Sequence, residues 1–375
     1  MSIDALATLG AREGRPASAD ATEEARRQLE ICNACRYCEG FCSVFPAMTL
    51  HRAFADGEIT QLANLCHNCR GCYYACQYTE PHEFALNLPR ALAEVRVESW
   101  ERFIWPSGLA KLFQEKGVAL VGALIAGIIA ILALAYAIRP ASGAGFYAVV
   151  SHTMMASIFM TASVIPLAIF ARGVHRYWRE VGGERVTFKH LRDALVDAGR
   201  LKNLSGGAAE GCNYEKEDRY TQARRWAHQA VMWGFLLCFA STLSGTFMHY
   251  ILGLEAPYGP LSAPKLLGVP GGLLLMVGGL GLIGLKLRAD KALGAPAVWG
   301  GEMAFVILLT LVGASGLALY WSTGTPAMRP LLILHLGSVL ALYLTLPYTK
   351  MVHVPFRLAA LVRDEQTKGR PTIAA

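Results

Sequence analysis

Eight cysteines near the start of the chain fall into two copies of one spacing, and that spacing belongs to iron–sulfur electron carriers. Cys32, Cys35, Cys38 and Cys42 read C-x2-C-x2-C-x3-C, and Cys66, Cys69, Cys72 and Cys76 repeat it. Thiolates separated by two residues can close on three corners of a cubane 4Fe–4S cluster. The fourth, one residue further on, is thrown out of that turn and in two-cluster ferredoxins ligates the other cube. The expected sorting is crossed: Cys32, Cys35, Cys38 and Cys76 on one cluster, and Cys66, Cys69, Cys72 and Cys42 on the other. Ser43 and Gln77 follow the two runs where ferredoxins often place proline; that affects the turn, not the ligands. Structural zinc prefers separated C-x2-C knuckles. Disulfides need export to an oxidising compartment, and residues 1–27 are polar and charged, with no apolar core of a signal.

Histidines supply the second signal. His152, His228, His249, His335 and His353 fall in or at the edge of long apolar runs, where an ionisable side chain is costly and marks a functional position. His335 and His353 are eighteen residues apart. On one continuous helix that is five turns, so both leave the same face, roughly 27 Å apart. His228 and His249, 21 residues apart, return to within about 60° of one face of an earlier helix running the opposite way. Packed side by side, these helices put His228 opposite His353 and His249 opposite His335, and each pair can clamp a haem iron from both sides. Without a C-x-x-C-H motif any haem is non-covalent and b-type, and the expectation is one or two. The plain alternative for each histidine is an interhelical hydrogen bond. His152 fits that role, or replaces His249 or His335 as an outer ligand. His51, His67, His82, His175 and His190 lie outside the spans, and His67, inside the second cysteine run, is placed to tune its cluster through a hydrogen bond. Cys238 is expected to act as a small hydrophobe and Cys212 as a thiol in a flexible glycine-rich loop. Lys286 and Glu302, at the edges of two spans, read as a snorkelling lysine and an interfacial acid, or as a proton relay.

Two units must position these groups. The 375 residues are 54% hydrophobic and 17% charged, with a mean hydropathy of +0.34, too apolar for a soluble protein of this length. Residues 1–100 read as a ferredoxin-like helical head and 101–116 as an interfacial linker helix. Residues 117–357 read as a six-span membrane domain and 358–375 as a tail. Apolar runs long enough to span a bilayer lie at about 117–138, 146–171, 227–252, 268–287, 300–321 and 331–352. The fold class expected is mainly α, a two-cluster helical head on a six-helix, cytochrome-b-like transmembrane bundle. Twelve Lys and Arg lie between Arg172 and Arg225, whereas the opposite loops hold Arg139, Lys265 and Arg329. The positive-inside rule then puts the basic loops, both termini and the head in the cytoplasm. The net charge of +7 is a property of these loops and does not point to nucleic acid.

The cysteine runs, followed by Pro81-His82-Glu83-Phe84 and Leu88-Pro89-Arg90 and joined to six basic-looped spans, resemble the tricarballylate/citrate-utilisation protein B family (TcuB/CitB). The last span, Leu334-His335 through Pro347 to His353, is also similar to the last span of the nitrate-reductase gamma subunit, a bis-histidine di-haem cytochrome b. The family resemblance implies an inner-membrane protein that reoxidises a partner cytoplasmic FAD-dependent dehydrogenase acting on tricarballylate or a similar tricarboxylate, and passes the electrons to quinone. The chain has no G-x-G-x-x-G after a predicted strand, so a flavin or nucleotide domain of its own is not expected. Rival readings are a membrane subunit of another redox complex, heterodisulfide- or sulfite-reductase-like, or a non-redox sensor or transporter with a regulatory cysteine head.

Overall fold

The computed structural model describes residues 20–138, 150–205, 212–213, 220–295 and 299–368. The expected start of the second span at 146–149, Arg139 and the last seven residues of the tail lie outside them. The described residues form thirteen α-helices and one short antiparallel ladder, Cys212–Asn213 with Tyr220–Thr221, the mainly α architecture expected.

The head opens with α1 (Ala21–Cys35), capped by Asp20, which accepts from the Thr22 amide at 3.1 Å. Glu23 and Glu24 sit in its first turn, where the helix dipole favours them. It stops at the first cysteine run, where Arg36 takes a left-handed φ of 55°. Short helices α2 (Val44–Met48), α3 (Asp56–Leu65) and α4 (Gly71–Tyr74) carry the chain through both runs. α5 (Leu88–Phe103), with Asn87 as cap and Pro89 in its first turn, packs back on α1 and α3. Leu29, Phe45, Met48, Ile59, Leu62 and Leu92 fill the core between them.

Six helices are long and apolar enough to cross a membrane: α6 (Ser107–Ile138), α7 (His152–Glu180), α9 (Ala223–Tyr250), α10 (Ala263–Arg288), α11 (Trp299–Trp321) and α12 (Met328–Thr345). Large apolar side chains such as Ile131, Met160, Leu167, Leu243 and Leu280 stand exposed along them, the pattern of helices whose solvent is hydrocarbon. α9 lies along α10, α10 on α11, α11 on α6 and α12, and α12 on α6 and α7. The α9–α10 seam is close because glycines line it. A Cβ on Gly278 would sit 2.8 Å from the Ala227 oxygen, the Ala230 Cβ and the Val231 nitrogen.

The linker region ends at a break: α5 stops at Phe103, and the helix from Ser107 is interrupted at Lys116 (φ −118°, ψ 22°) before the first span continues. Two features depart from the sequence reading. The sixth span does not continue to His353. Pro347 has no amide to donate to the Tyr343 carbonyl, so α12 ends at Thr345. A 3-10 turn, Lys350–Val352, follows, and His353 opens a new helix, α13 (His353–Thr367). The eighteen-residue register between His335 and His353 therefore does not apply. Finally, the chain after residue 358 returns to the head rather than trailing from it. Leu361 and Val362 of α13 join the head core, as does Ala194 of α8 (Phe188–Arg200). Gln61 donates to the Ala360 carbonyl at 2.8 Å.

The head thus sits on the end of the bundle where the basic loops emerge. Thr60 reaches Glu180 at 3.2 Å, Asn68 donates to the Leu293 carbonyl at 3.0 Å, and Arg224 donates to the Asn68 carbonyl at 2.6 Å.

Candidate functional site

None of the ten cysteines is in a disulfide, and the head gathers eight of them around two cavities. The first, of about 210 Å³, is lined by Cys32, Cys35, Cys38 and Cys76, with Cys72 at its inner edge and Tyr37, 70% exposed, on its rim. The second, only about 20 Å³, is lined by Cys42, Cys66, Cys69 and Cys72 together with His67 and Asn68. Cys76 therefore stands among the thiols of the first run and Cys42 among those of the second, while Cys72 touches both spaces. Burial, then neighbouring Cys76 and Cys35, pushes the Cys38 thiol up to about 12. Burial, then Cys69 and Cys66, holds Cys42 well above the ordinary thiol range. Crowded thiols of this kind ionise only when a cation offsets their charge, which is what a bound metal does. Backbone amides already point at sulfur: Asn68 N–H to Cys66 Sγ at 3.4 Å and Tyr78 N–H to Cys76 Sγ at 3.3 Å. Left-handed backbone at Asn68 (φ 52°) and Arg70 (φ 70°) turns the loop inward. Among the described residues no three His, Cys, Asp or Glu side chains close on a single metal ion. Thiols spread round a cavity suit a cube, whose body separates its ligands, better than four-coordinate zinc.

The histidines divide. The His228 ring, in the first turns of α9, meets that of His353, at the start of α13, with centroids 6.1 Å apart and planes at 87°. Two imidazoles sharing one iron, at about 2 Å per metal–nitrogen bond plus half a ring each, have centroids roughly 6 Å apart. His353 Nδ1 is engaged by the Lys350 carbonyl; the usual outer partner of a metal-bound histidine is such a carbonyl, and it leaves Nε2 for the metal. His228 Nδ1 is buried and has no hydrogen-bond partner among the described residues. The residues fit a bis-histidine haem. His249 and His335 are not brought together in this way. His335 bonds to Ser315 Oγ at 3.1 Å and fills the space over Gly316 of α11, which is the interhelical role. His249 stacks on His152 at 3.9 Å and lies edge-on to Tyr250, and its Nδ1 too is buried without a partner among the described residues.

Between the second cavity and the His228–His353 pair lies a group the sequence reading missed. Arg357 donates to the Cys66 carbonyl at 2.7 Å, Arg96 to the same oxygen at 2.9 Å, and Arg224 to the His67 and Asn68 carbonyls at 3.1 and 2.6 Å. His67 is buried here, its Nδ1 2.9 Å from the Leu65 carbonyl. Burial first, then Arg357, holds its imidazole well below the ordinary range. Nearby, Glu302 accepts from both Lys286 and Lys350, so it is neither a lone interfacial acid nor an unpaired one. Lys350 also lies over the Trp100 ring at 5.1 Å. Cys238 packs on Gly271 of α10, the small-hydrophobe role expected. Cys212 differs from its reading: it is fully buried beside Cys69, and its thiol donates to the Leu204 carbonyl at 3.3 Å. The ladder to Tyr220–Thr221 pins that stretch.

Comparison with known proteins agrees with this division into head and bundle. Residues 25–101 match the Citrate utilization protein B Fer4-like domain and residues 108–374 match Citrate utilization protein B. The curated Citrate utilization protein B of Escherichia coli is 40% identical over 352 residues, 92% of this chain and 93% of that one. No solved structure matches.

Proposed function

Because the chain belongs to the citrate utilization protein B family and sets the second of its two cysteine cavities near a histidine pair, we propose that it is a membrane electron carrier. It takes electrons from the reduced flavin of a separate cytoplasmic dehydrogenase, one that oxidises tricarballylate or a similar tricarboxylate, and delivers them to membrane quinone. Two 4Fe–4S clusters and a b-type haem, when bound, supply one-electron carriers along that path.

The chain's own residues do four things in this reading. Cys32, Cys35, Cys38 and Cys76 hold one cluster at the exposed rim, where Tyr37 stands open to a partner. Cys66, Cys69, Cys72 and Cys42 hold the other where the head meets the bundle. His228 and His353 hold the haem, with the Lys350 carbonyl fixing the His353 tautomer. The apolar helices keep the haem dry and the basic loops keep the head on the cytoplasmic side of the inner membrane. The observation that carries the reading is the 6.1 Å His228–His353 pair directly behind the second cysteine cavity.

An outer haem has less support: the His249 and His152 rings stack at 3.9 Å, closer than the roughly 6 Å that two imidazoles sharing one iron need, and His335 is bonded to Ser315.

Iron, sulfide and pyridine-haemochrome analysis of protein purified without oxygen tests the proposal. About eight cluster irons and at least one haem per chain are expected; a colourless preparation without sulfide or Soret absorbance refutes it.

A further inference from the structure

We propose that Arg224 and Arg357 form a bracket that fixes the second cysteine run against the two histidine-bearing helices and raises the reduction potential of its cluster relative to the first. The inference rests on the proposed ligation of that cluster and of a haem by His228 and His353.

The register is the starting point. Arg224 precedes His228 by four residues on α9, and Arg357 follows His353 by four on α13. Residues four apart share a helix face, so each histidine helix sends one guanidinium toward the same loop. There the two forks take four carbonyls of one short stretch. Arg357 reaches Asn64 at 3.4 Å and Cys66 at 2.7 Å, and Arg224 reaches His67 at 3.1 Å and Asn68 at 2.6 Å. Arg96, on α5, adds a third guanidinium at the Cys66 oxygen, 2.9 Å away. Asn68 locks the loop further, donating to the Pro89 and Leu293 carbonyls at 3.2 and 3.0 Å.

The direction of these bonds gives them an electrostatic consequence. The carbonyls face the arginines, and the Asn68 amide faces Cys66 Sγ at 3.4 Å. A cation on a carbonyl polarises its peptide group and strengthens the N–H on the other side. Hydrogen bonds to cluster sulfur and nearby positive charge both favour the more negative, reduced cluster. The first run is served differently: its arginine, Arg36, is exposed and bonds locally to the Asn33 carbonyl at 3.1 Å. The pair therefore acts on one cluster and not the other, and makes the buried cluster the better acceptor of the two.

The test uses the full-length protein in detergent, with Arg224→Gln, Arg357→Gln and Arg357→Lys, and follows both clusters by anaerobic redox titration with EPR detection. Cys35→Ala, which removes the first cluster, assigns the signals. Each glutamine variant is expected to shift the second cluster's reduction equilibrium about tenfold toward the oxidised form, 59 mV for one electron. The first cluster stays in place, and iron content is kept. Arg357→Lys, which keeps the charge but not the fork, shifts less, and it decides the case if a glutamine variant loses iron. An unchanged second-cluster midpoint at full iron content, or equal shifts in both clusters, overturns the inference. Absence of haem from the unaltered protein instead defeats the haem reading and leaves the cluster comparison able to decide the bracket.

Discussion

The substitution Gly278→Ala probes the proposed haem site from a distance. Gly278 lies on α10 and carries no chemistry, but it faces the turn of α9 that bears His228. A methyl there would meet the Ala227 oxygen, the Ala230 Cβ and the Val231 nitrogen, all at 2.8 Å. Ordinary carbon contacts need about 3.5–4.0 Å. Two of the three atoms are backbone and cannot rotate aside, so α9 must move out by roughly 1 Å. His228 lies between Ala227 and Ala230 in sequence and moves with them. The 6.1 Å ring separation from His353 then changes by up to roughly 1 Å, enough to misplace one of two metal–nitrogen bonds of about 2 Å. Overpacking of this kind costs about 1–3 kcal/mol, enough to distort one seam without unfolding the chain. The expected result is loss of haem, or a change from the low-spin, six-coordinate spectrum to a high-spin one, with cluster iron retained. Gly284→Ala is the control: it lies on the same helix with nothing within 4 Å of an added Cβ, and it should leave the haem spectrum unchanged. Full haem with an unaltered low-spin spectrum in Gly278→Ala would refute the placement of His228 as a ligand.

Three further groups of substitutions test other parts of the arrangement. Cys76→Ala should remove the same EPR signal as Cys35→Ala, and Cys42→Ala the same signal as Cys69→Ala; a loss that follows sequence order instead would reject the crossed sorting. His335→Ala should keep the full haem content by pyridine haemochrome, because its ring is committed to Ser315, whereas His228→Ala and His353→Ala should each lose the inner haem. Haem loss in His335→Ala would restore it as a ligand. Glu302→Gln leaves Lys286 and Lys350 facing each other without their carboxylate. The pair is partly exposed, so the cost should be about 2 kcal/mol, between the limits for exposed and buried pairs, read as a lower thermal midpoint in detergent; an unchanged midpoint counts against a structural role for the triad.

The parts of this protein that were legible in the sequence are those written in spacing. The two cysteine runs announce their chemistry in eleven residues each, and six apolar runs announce six long helices because a span has a minimum length. Register along the apolar runs also brings His228 toward His353, but only for one helix from His335 to His353, and Pro347 interrupts that helix. The consequence is more than a boundary shift: a break there frees α13 to turn back, so that Leu361 and Val362 seal the head and Arg357 reaches the cysteine loop. The signal available was a pair of arginines four residues from the two histidines, but such a pair means nothing until tertiary packing supplies the loop that both of them face. Cys212 was illegible for the same reason. Its glycine-rich neighbours suggest mobility, and only the ladder with Tyr220–Thr221 and the contact with Cys69 bury it.

The asymmetry of the head also bears on the order in which its two sites are used. Around the inner site, Arg96, Arg224, Arg357, Lys286 and Lys350 come together, with Glu302 pairing the two lysines. Arg96 and Arg357 are bound to neutral carbonyls, and burial, then the neighbouring Arg96, draws Arg357 down to about 9. Burying that much positive charge is costly unless an anion shares the space. A cube with four thiolates is such an anion, and it becomes more so on reduction. On the proposed ligation, the cationic group would be a stabilising partner of the second cluster, most of all when that cluster is reduced. The outer site has no comparable group of buried cations among the described residues; it has an exposed rim, with Cys35 and Tyr37 open to a partner. On the proposed path, an electron arriving at the rim would move toward the stronger positive potential, which lies inward, beside His228 and His353. In that reading the charge arrangement gives the transfer a direction.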